Sequence, residues 1–434
     1  MLAGVSYPFE GLPAAWVVLF TVAFLVVCAT LAWTTWLFVL AQRARTTPPD
    51  APPDGVDGFT WVFLVPALNE EVTIRDSVER LVGLALPRPR IIVVDDGSDD
   101  RTPEVLAGLS RPGLHVLRRE PPDARKGKAA ALNHAYRTLG DLPAGEDRDK
   151  VIVCVVDADG RLGAEAPRYA AAHFADPRVG GVQSLVRIYN RGRLLTWMQD
   201  VEFSVYGFLY QAGRTGWGTA GMGGNGQFNR LSALDAVADH EGPWRDRLTE
   251  DQDLGLRLIG RGWLGRQELR GTVDQQGLPG LRKLFRQRTR WSQGNLQAMG
   301  LLDIVRRAEV PLRARVEQLA YLLMPLWQTI VGFALVLSIV FAVVGIANFW
   351  DGGPWWQLVF FYVLGFGGVV LGCIARGAGH GLRGIVTGYL VAHVYAFYTW
   401  LLWPVLIRAA ARQLTERRAW AKTEREPVAE GTAP

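Results

Sequence analysis

Cysteine and histidine are scarce, three and six in 434 residues. Cys28, Cys154 and Cys373 stand apart in apolar surroundings, which excludes a disulfide framework and a zinc-ligand spacing. The histidines show neither ligand spacing nor a link to a serine or cysteine, so a hydrolytic triad has no support. No basic block interleaved with aromatics occurs in the polar part of the chain, which argues against nucleic acid as a partner. Charge itself is missing from four long runs, residues 11–42, 318–350, 352–375 and 384–407. Each exceeds the roughly 20 residues that cross a hydrocarbon core as a helix.

What is present fits a membrane-bound chain. Apolar residues make up 49% and mean hydropathy is +0.10. The pI of about 9.2 suits contact with anionic lipid. The first run is too long for the core of a signal peptide and lacks a basic segment before it, so it reads as a retained anchor. Arg43 and Arg45 follow it and place the next segment in the cytoplasm. The expected plan is an anchor over 1–45, a Pro-rich linker over 46–57, an α/β domain over 58–277, and interfacial helices over 278–316. Three membrane helices over 317–407 and a polar tail over 408–434 complete it. The tail conflicts with that count. Four crossings would put it outside, yet it carries six Arg or Lys against four Glu, an inside signal.

Within the polar region, short apolar runs at 61–65, 91–94, 115–117 and 151–156 alternate with helical patterns at 70–84, 102–109 and 128–139. Alternation of this kind predicts a mostly parallel sheet with helices on both faces, and ligands beyond the carboxyl ends of its strands. Acidic residues sit at those ends. IIVVDDGS at 91–98 carries Asp95 and Asp96, which can accept from a nucleobase or ribose or can simply form a turn. VIVCVVDADG at 151–160 presents Asp157 and Asp159 two residues apart, a spacing that can offer two oxygens to one Mg²⁺ or Mn²⁺ bridging to phosphates. LTEDQDL at 248–254 opens a helix. Thr249 and Gln252 fit a capping box, while Glu250 and Asp251 exceed what a cap needs and can act as a base or hold a sugar. QRTRW at 287–291 lies in a basic amphipathic segment, where Trp291 can stack on a sugar and Gln287 and Arg290 can reach phosphate, or where the pair can anchor the interface. GMGGNG at 221–226 formally matches a dinucleotide fingerprint but follows no strand, so it reads as a flexible loop approaching substrate.

In order, Pro66-Ala-Leu-Asn69-Glu70, Asp95-Asp96-Gly97, Lys128 through Asn133, Asp157-x-Asp159, Gly224-Asn225-Gly226, Thr249-Glu250-Asp251 and Gln287-x-x-Arg290-Trp291 form a series. It resembles the processive branch of family 2 glycosyltransferases, the cellulose, chitin, hyaluronan and poly-N-acetylglucosamine synthases. The resemblance implies a GT-A fold and an inverting transfer from a nucleotide sugar, with a UDP-sugar favoured over a GDP-sugar. It implies that Glu70 and Asp96 hold the nucleoside and Lys128 the diphosphate or ribose. Asp157 and Asp159 bind metal, with Asp159 the more direct ligand, and Asp251 is the general base. Gln287, Arg290 and Trp291 close over the donor, and Gly224, Asn225, Gly226, Glu250 and Trp291 face the acceptor. A growing β-linked polysaccharide is the expected acceptor, coupled to export through a homo-oligomer or partner. Transfer of one sugar to a lipid, as in ceramide glucosyltransferase-like enzymes, is the alternative, and a non-catalytic polymer conduit is the third reading.

Overall fold

The structure is a computed structural model in which residues 12–52, 54–141, 146–346 and 354–415 are described. The 33-residue helix α1 (Ala14–Thr46) leads into an α/β domain. That domain opens with the expected alternation: β1 (Thr60–Ala67), α2 (Ile74–Val82), β2 (Arg90–Asp95), α3 (Thr102–Ala107), β3 (Leu114–Arg118), α4 (Lys128–Thr138) and β4 (Val151–Val155). It continues through β5 (Arg161–Leu162), α5 (Ala166–Phe174), β6 (Val179–Ile188), α6 (Leu194–Val205), α7 (Ala212–Thr215), β7 (Gln227–Arg230), α8 (Leu231–Val237), α9 (Glu250–Gly260) and β8 (Leu264–Gln275).

All eight strands join one sheet in the order β3-β2-β1-β4-β7-β6-β8-β5. The pairings β2–β3, β1–β2 and β1–β4 are parallel. Beyond β4 the sheet becomes mixed, because β7 runs antiparallel to both β4 and β6, and β5 antiparallel to β8. The expectation of a mostly parallel sheet therefore holds only for its first half. Strand periodicity sends alternate residues of β1 to opposite faces. Trp61, Phe63 and Val65 pack with α2, α3 and α5, while Val62 and Leu64 pack with α4, α8 and α9. Burying a side chain such as Phe63 completely contributes roughly 1.5–3 kcal/mol. Both layers of helices thus fix the strand ends, where the acidic residues lie.

The basic segment forms α10 (Leu281–Ala298), followed by α11 (Leu302–Arg307) and α12 (Leu312–Leu322). The apolar runs give α13 (Met324–Val343), α14 (Trp355–Gly377), α15 (Gly381–Leu402) and the short α16 (Pro404–Leu414). Among the described residues three helical stretches are long and apolar enough to cross a membrane: Ala14–Thr46, Met324–Val343 and Trp355–Leu414. The last is not straight. Between α14 and α15 the chain turns, and the Gly377 and Gly384 backbones approach so closely that a Cβ on either would lie 2.0–2.1 Å from the other's carbonyl oxygen.

Contacts along α1 orient the others. Phe341, near the end of α13, meets Trp16 and Phe20, so α13 is antiparallel to α1. α14 runs parallel to α1, with Phe360 beside Phe24 and Arg45 Nη1 donating to the Ala375 carbonyl at 2.6 Å. α15 starts near Arg45, at the α/β-domain end of α1. It ends where Trp403 Nε1 donates to the Gln328 carbonyl at 3.2 Å, near the first turns of α13. α16 then returns to α10, where Gln293 Nε2 donates to Gln413 Oε1 at 3.4 Å.

Candidate active site

The carboxyl ends of β1, β2 and β4 open into a cavity of about 730 Å³. It collects Glu70 after β1, Asp96 after β2, Asp157 and Asp159 after β4, Lys128 at the start of α4 and Glu250 with Asp251 at the start of α9. α10 contributes Gln287, Arg290 and Trp291 from the far side. Elements widely separated in sequence therefore converge at the place where open α/β sheets bind ligands.

Electrostatics at the centre are carried by one lysine among several carboxylates. Lys128 Nζ lies 2.6 Å from Asp157 Oδ1 and 3.4 Å from Glu250 Oε1. Burial disfavours its charge, but Asp157 and Glu250 outweigh burial and hold its pKa well above the ordinary lysine value. The Asp251 carboxyl is pushed up to about 7, first by burial and then by the charge of Glu250. Lys128 and the Gln252 amide, which donates to Asp251 Oδ1 at 2.8 Å, pull the other way. Gly224 makes room for this cluster. Its φ is +78°, and a Cβ there would sit 2.8 Å from Asp251 Oδ2 and 3.2 Å from Lys128 Nζ.

The surroundings of Asp96 and Glu70 are built differently. Asp96 is buried and accepts from Arg119 Nη1 at 2.6 Å, while Asp95 is paired with Arg118. Burial leads in raising the Asp96 pKa, against the pull of the Arg125 amide and Arg119. Thr73 Oγ1 donates to Glu70 Oε2 at 2.9 Å and fixes that carboxylate at the cavity edge.

Two expectations change. Gly224, Asn225 and Gly226, expected to face the acceptor, are not among the residues that line the cavity, whose wall there is Met222 and Gly223. Asn225 is buried, and its Oδ1 accepts from the Asp157 backbone amide at 3.1 Å while its Nδ2 donates to Gln275 Oε1 at 3.1 Å. The Gly226 amide also donates to the Val155 carbonyl at 2.9 Å. The loop therefore braces the turn that carries Asp157 and Asp159. Removing such a bond from a buried amide costs roughly 1–3 kcal/mol. The capping box also does not form: Thr249 Oγ1 donates to Gln252 Oε1 at 3.3 Å rather than accepting from a helix amide.

On α10, Gln287 Oε1 accepts from Arg288 Nη1 at 2.5 Å. The Arg290 side chain lines the cavity, while its Nε is buried with no hydrogen-bond partner among the described residues. Trp291 is held from two sides, by the Arg288 guanidinium 4.1 Å from its ring centroid and by the edge of Phe203 at 5.9 Å. Arg288 is itself gripped by Glu202 at 3.1 and 2.6 Å, and Tyr398 Oη donates to Glu202 Oε2 at 2.7 Å. Sequence reasoning missed Glu202, Arg288 and Tyr398. The available signal was a single carboxylate, Glu202, inside the apolar aromatic run at 201–210.

A second, larger cavity of about 1800 Å³ opens between α1, α13, α14 and α15. Val22, Leu25, Val331 and Leu364 are among its walls. It shares Glu202, Ser292, Gln328, Gly368, Tyr395 and Thr399 with the first cavity, so the two are continuous.

Comparison with known proteins agrees with this arrangement. The model described as glycosyl transferase family group 2 matches residues 152–371, and that described as glycosyl transferase family 2 matches residues 62–237. The chain is 33% identical over 302 residues to a beta-monoglucosyldiacylglycerol synthase from Synechocystis, covering 66% of this chain and 60% of that protein. It is 28% identical over 254 residues to a poly-beta-1,6-N-acetyl-D-glucosamine synthase from Staphylococcus aureus, covering 58% of each. It thus spans less than two thirds of the length of these curated relatives. A mannosyltransferase from Pyrobaculum calidifontis, solved in complex with GDP-Man and Mn²⁺, superposes with a TM-score of 0.62 at 20% identity. That match covers 92% of this chain and 100% of the other, and the shared architecture is the GT-A fold. The chain belongs to glycosyl transferase family group 2.

Proposed function

We propose that this chain transfers one hexose from a nucleoside-diphosphate sugar to a hydroxyl group of a membrane lipid, with its α/β domain at the cytoplasmic face. The observation that carries this reading is the continuity between the carboxylate-lined cavity and the apolar groove among the membrane helices. A lipid lying in that groove has its head group at the neck, facing Trp291 and Asp251. The similarity to a glucosyldiacylglycerol synthase supports the same acceptor class. Synthesis of a β-linked polymer is the second reading, favoured by the Gln287-x-x-Arg290-Trp291 element and the Staphylococcus relative. The groove wall mixes aliphatic side chains, which match acyl chains, with the indoles of Trp33, Trp36, Trp327, Trp400 and Trp403, on which sugars also stack. The choice of lipid over polymer therefore rests on the continuity with the sugar site and on the similarity to the glucosyldiacylglycerol synthase.

In this account Asp251 accepts the proton of the acceptor hydroxyl as its oxygen attacks the anomeric carbon. The bond from that carbon to the diphosphate breaks on the opposite face, which inverts the centre. Arg290 and Lys128 take up charge on the departing diphosphate, and Asp96 and Glu70 orient the nucleoside. Around Lys128 stand Asp157, Glu250 and Asp251, with Asp159 on the same cavity wall. Among the described residues no three acids converge closely enough to cage a cation, so a divalent ion would rest on the Asp157–Asp159 turn together with the donor's phosphate oxygens. Asp159 and Asp157 would hold Mg²⁺ or Mn²⁺, which would supply further neutralisation of the diphosphate. Trp291 offers a flat face to the incoming sugar.

Gly368 tests the groove directly, since it lines both cavities and a Cβ there meets Thr34 only at ordinary contact distance, 3.8 Å. Gly368→Leu should fill the neck, cutting transfer to lipid about ten-fold or more while nucleotide-sugar binding stays near wild type. Unchanged lipid transfer in that variant would show that the acceptor does not enter through the groove.

A further inference from the structure

Two arginines flank the neck, Arg214 on the wall of the first cavity and Arg288 on that of the second, and each has a carboxylate of its own. Arg288 is paired with Glu202, as described above. Arg214, on α7, donates from Nε to Glu317 Oε1 of α12 at 2.7 Å, and both side chains are only 1% exposed. Tyr321 covers the Arg214 guanidinium at 4.0 Å, and its Nη2 is sealed from solvent. Neither cation is therefore available to an incoming anion. The other polar groups shared by the two cavities, Tyr210, Ser292, Gln328, Tyr395 and Thr399, are uncharged. On the sugar side the next charges are the carboxylates of Glu250 and Asp251, with Arg290 turned to the same cavity. On the lipid side, Arg313 is exposed at the groove rim, one helical turn before Glu317.

We propose that this charge-matched neck selects an uncharged lipid alcohol and rejects phosphorylated lipids, with Glu202 and Glu317 as the specificity-determining residues. The inference rests on the lipid-acceptor reading and sharpens it to one acceptor class. A phosphate drawn into the neck would lose hydration, find both arginines already neutralised, and approach Glu202 at close range. A second negative charge in such a dehydrated contact is strongly disfavoured. A hydroxylated head group meets no such penalty and can exchange hydrogen bonds with the Tyr395, Thr399 and Ser292 hydroxyls and the Gln328 amide. Selection here comes from cancelling positive charge that would otherwise attract phosphate.

Full-length protein in phosphatidylcholine vesicles tests this with two lipids, dioleoylglycerol and a polyprenyl phosphate, offered separately with the same nucleotide sugar. Transfer to dioleoylglycerol should exceed transfer to the polyprenyl phosphate by about ten-fold or more. Equal transfer, or preference for the phosphorylated lipid, overturns the proposal and leaves the lipid-acceptor reading standing. Transfer to neither overturns both. A second arm uses Glu202→Gln, which releases Arg288, with nucleotide-sugar binding checking that the variant is folded. Phosphatidate added as a competitor should inhibit this variant several-fold more strongly than wild type. Equal inhibition of the two proteins would remove Glu202 from the specificity role.

Discussion

A carboxylate that takes a proton from an alcohol works best with a pKa near the working pH. Asp251 meets that condition because burial and the neighbouring charge of Glu250 raise it to about 7, while Lys128 limits the rise. Below that value the carboxyl is protonated and cannot act as a base. kcat/KM should therefore climb through about pH 7 and level off above it. Asp251→Asn should lose this limb along with roughly 10²–10⁴-fold of the rate, nucleotide binding being retained. Turnover within ten-fold of wild type, measured as transferred sugar, would show that another group is the base. Residues of this kind were legible in the sequence because each carboxylate directly follows an apolar run or opens a helix, as with Asp96, Asp157, Asp159 and Asp251. Asn225 was not. Its work is a hydrogen bond to the amide of Asp157, 68 residues earlier in the chain, and only the antiparallel pairing of β7 with β4 brings them together. The Glu202–Arg288–Tyr398 chain was hidden for the same reason, since it joins α6, α10 and α15.

At the scale of elements, periodicity found β1 to β4 and the intervening helices but not the mixed half of the sheet. β5 has two residues and β7 four, too short to show an alternation. α15 is the more instructive case. Residues 384–407 are free of charge and look like a crossing, yet α15 begins near Arg45 and ends against Gln328, both toward the α/β domain. Much of its apolar character is used against α6 and α14, where Val391, Ala392 and Tyr395 pack with Val201, Val205 and Cys373. We infer that α15 dips into the bilayer only as far as His393, whose Nε2 lies 2.9 Å from Tyr362 Oη of α14, and then returns α16 to the α/β-domain side. A single cysteine at position 415, in a chain whose native cysteines are replaced, tests this. With a membrane-impermeant thiol reagent on intact cells, Thr415→Cys should label only after permeabilisation. Labelling of intact cells would put α15 across the bilayer.

For the whole molecule, the central feature is one continuous space that begins among carboxylates at the sheet edge and ends between membrane helices. The α/β domain supplies the transfer chemistry, and α10 closes over it while remaining bound to α16 and, through Arg288 and Glu202, to α6. The Arg214–Glu317 pair ties the same domain to α12. Such a body can bring a nucleotide sugar from water and a hydroxyl from lipid to the same few ångströms. Among the described residues three helical stretches are long and apolar enough to cross a membrane, few to enclose a pore, which favours single transfer over the expected coupled polymer export. The most direct measurement is the mass of the lipid product made by the purified protein in diacylglycerol vesicles supplied with UDP- and GDP-hexoses. The account predicts a lipid heavier by one hexose and no longer species; a ladder of increasing sugar number, or free polymer without glycolipid, would contradict it.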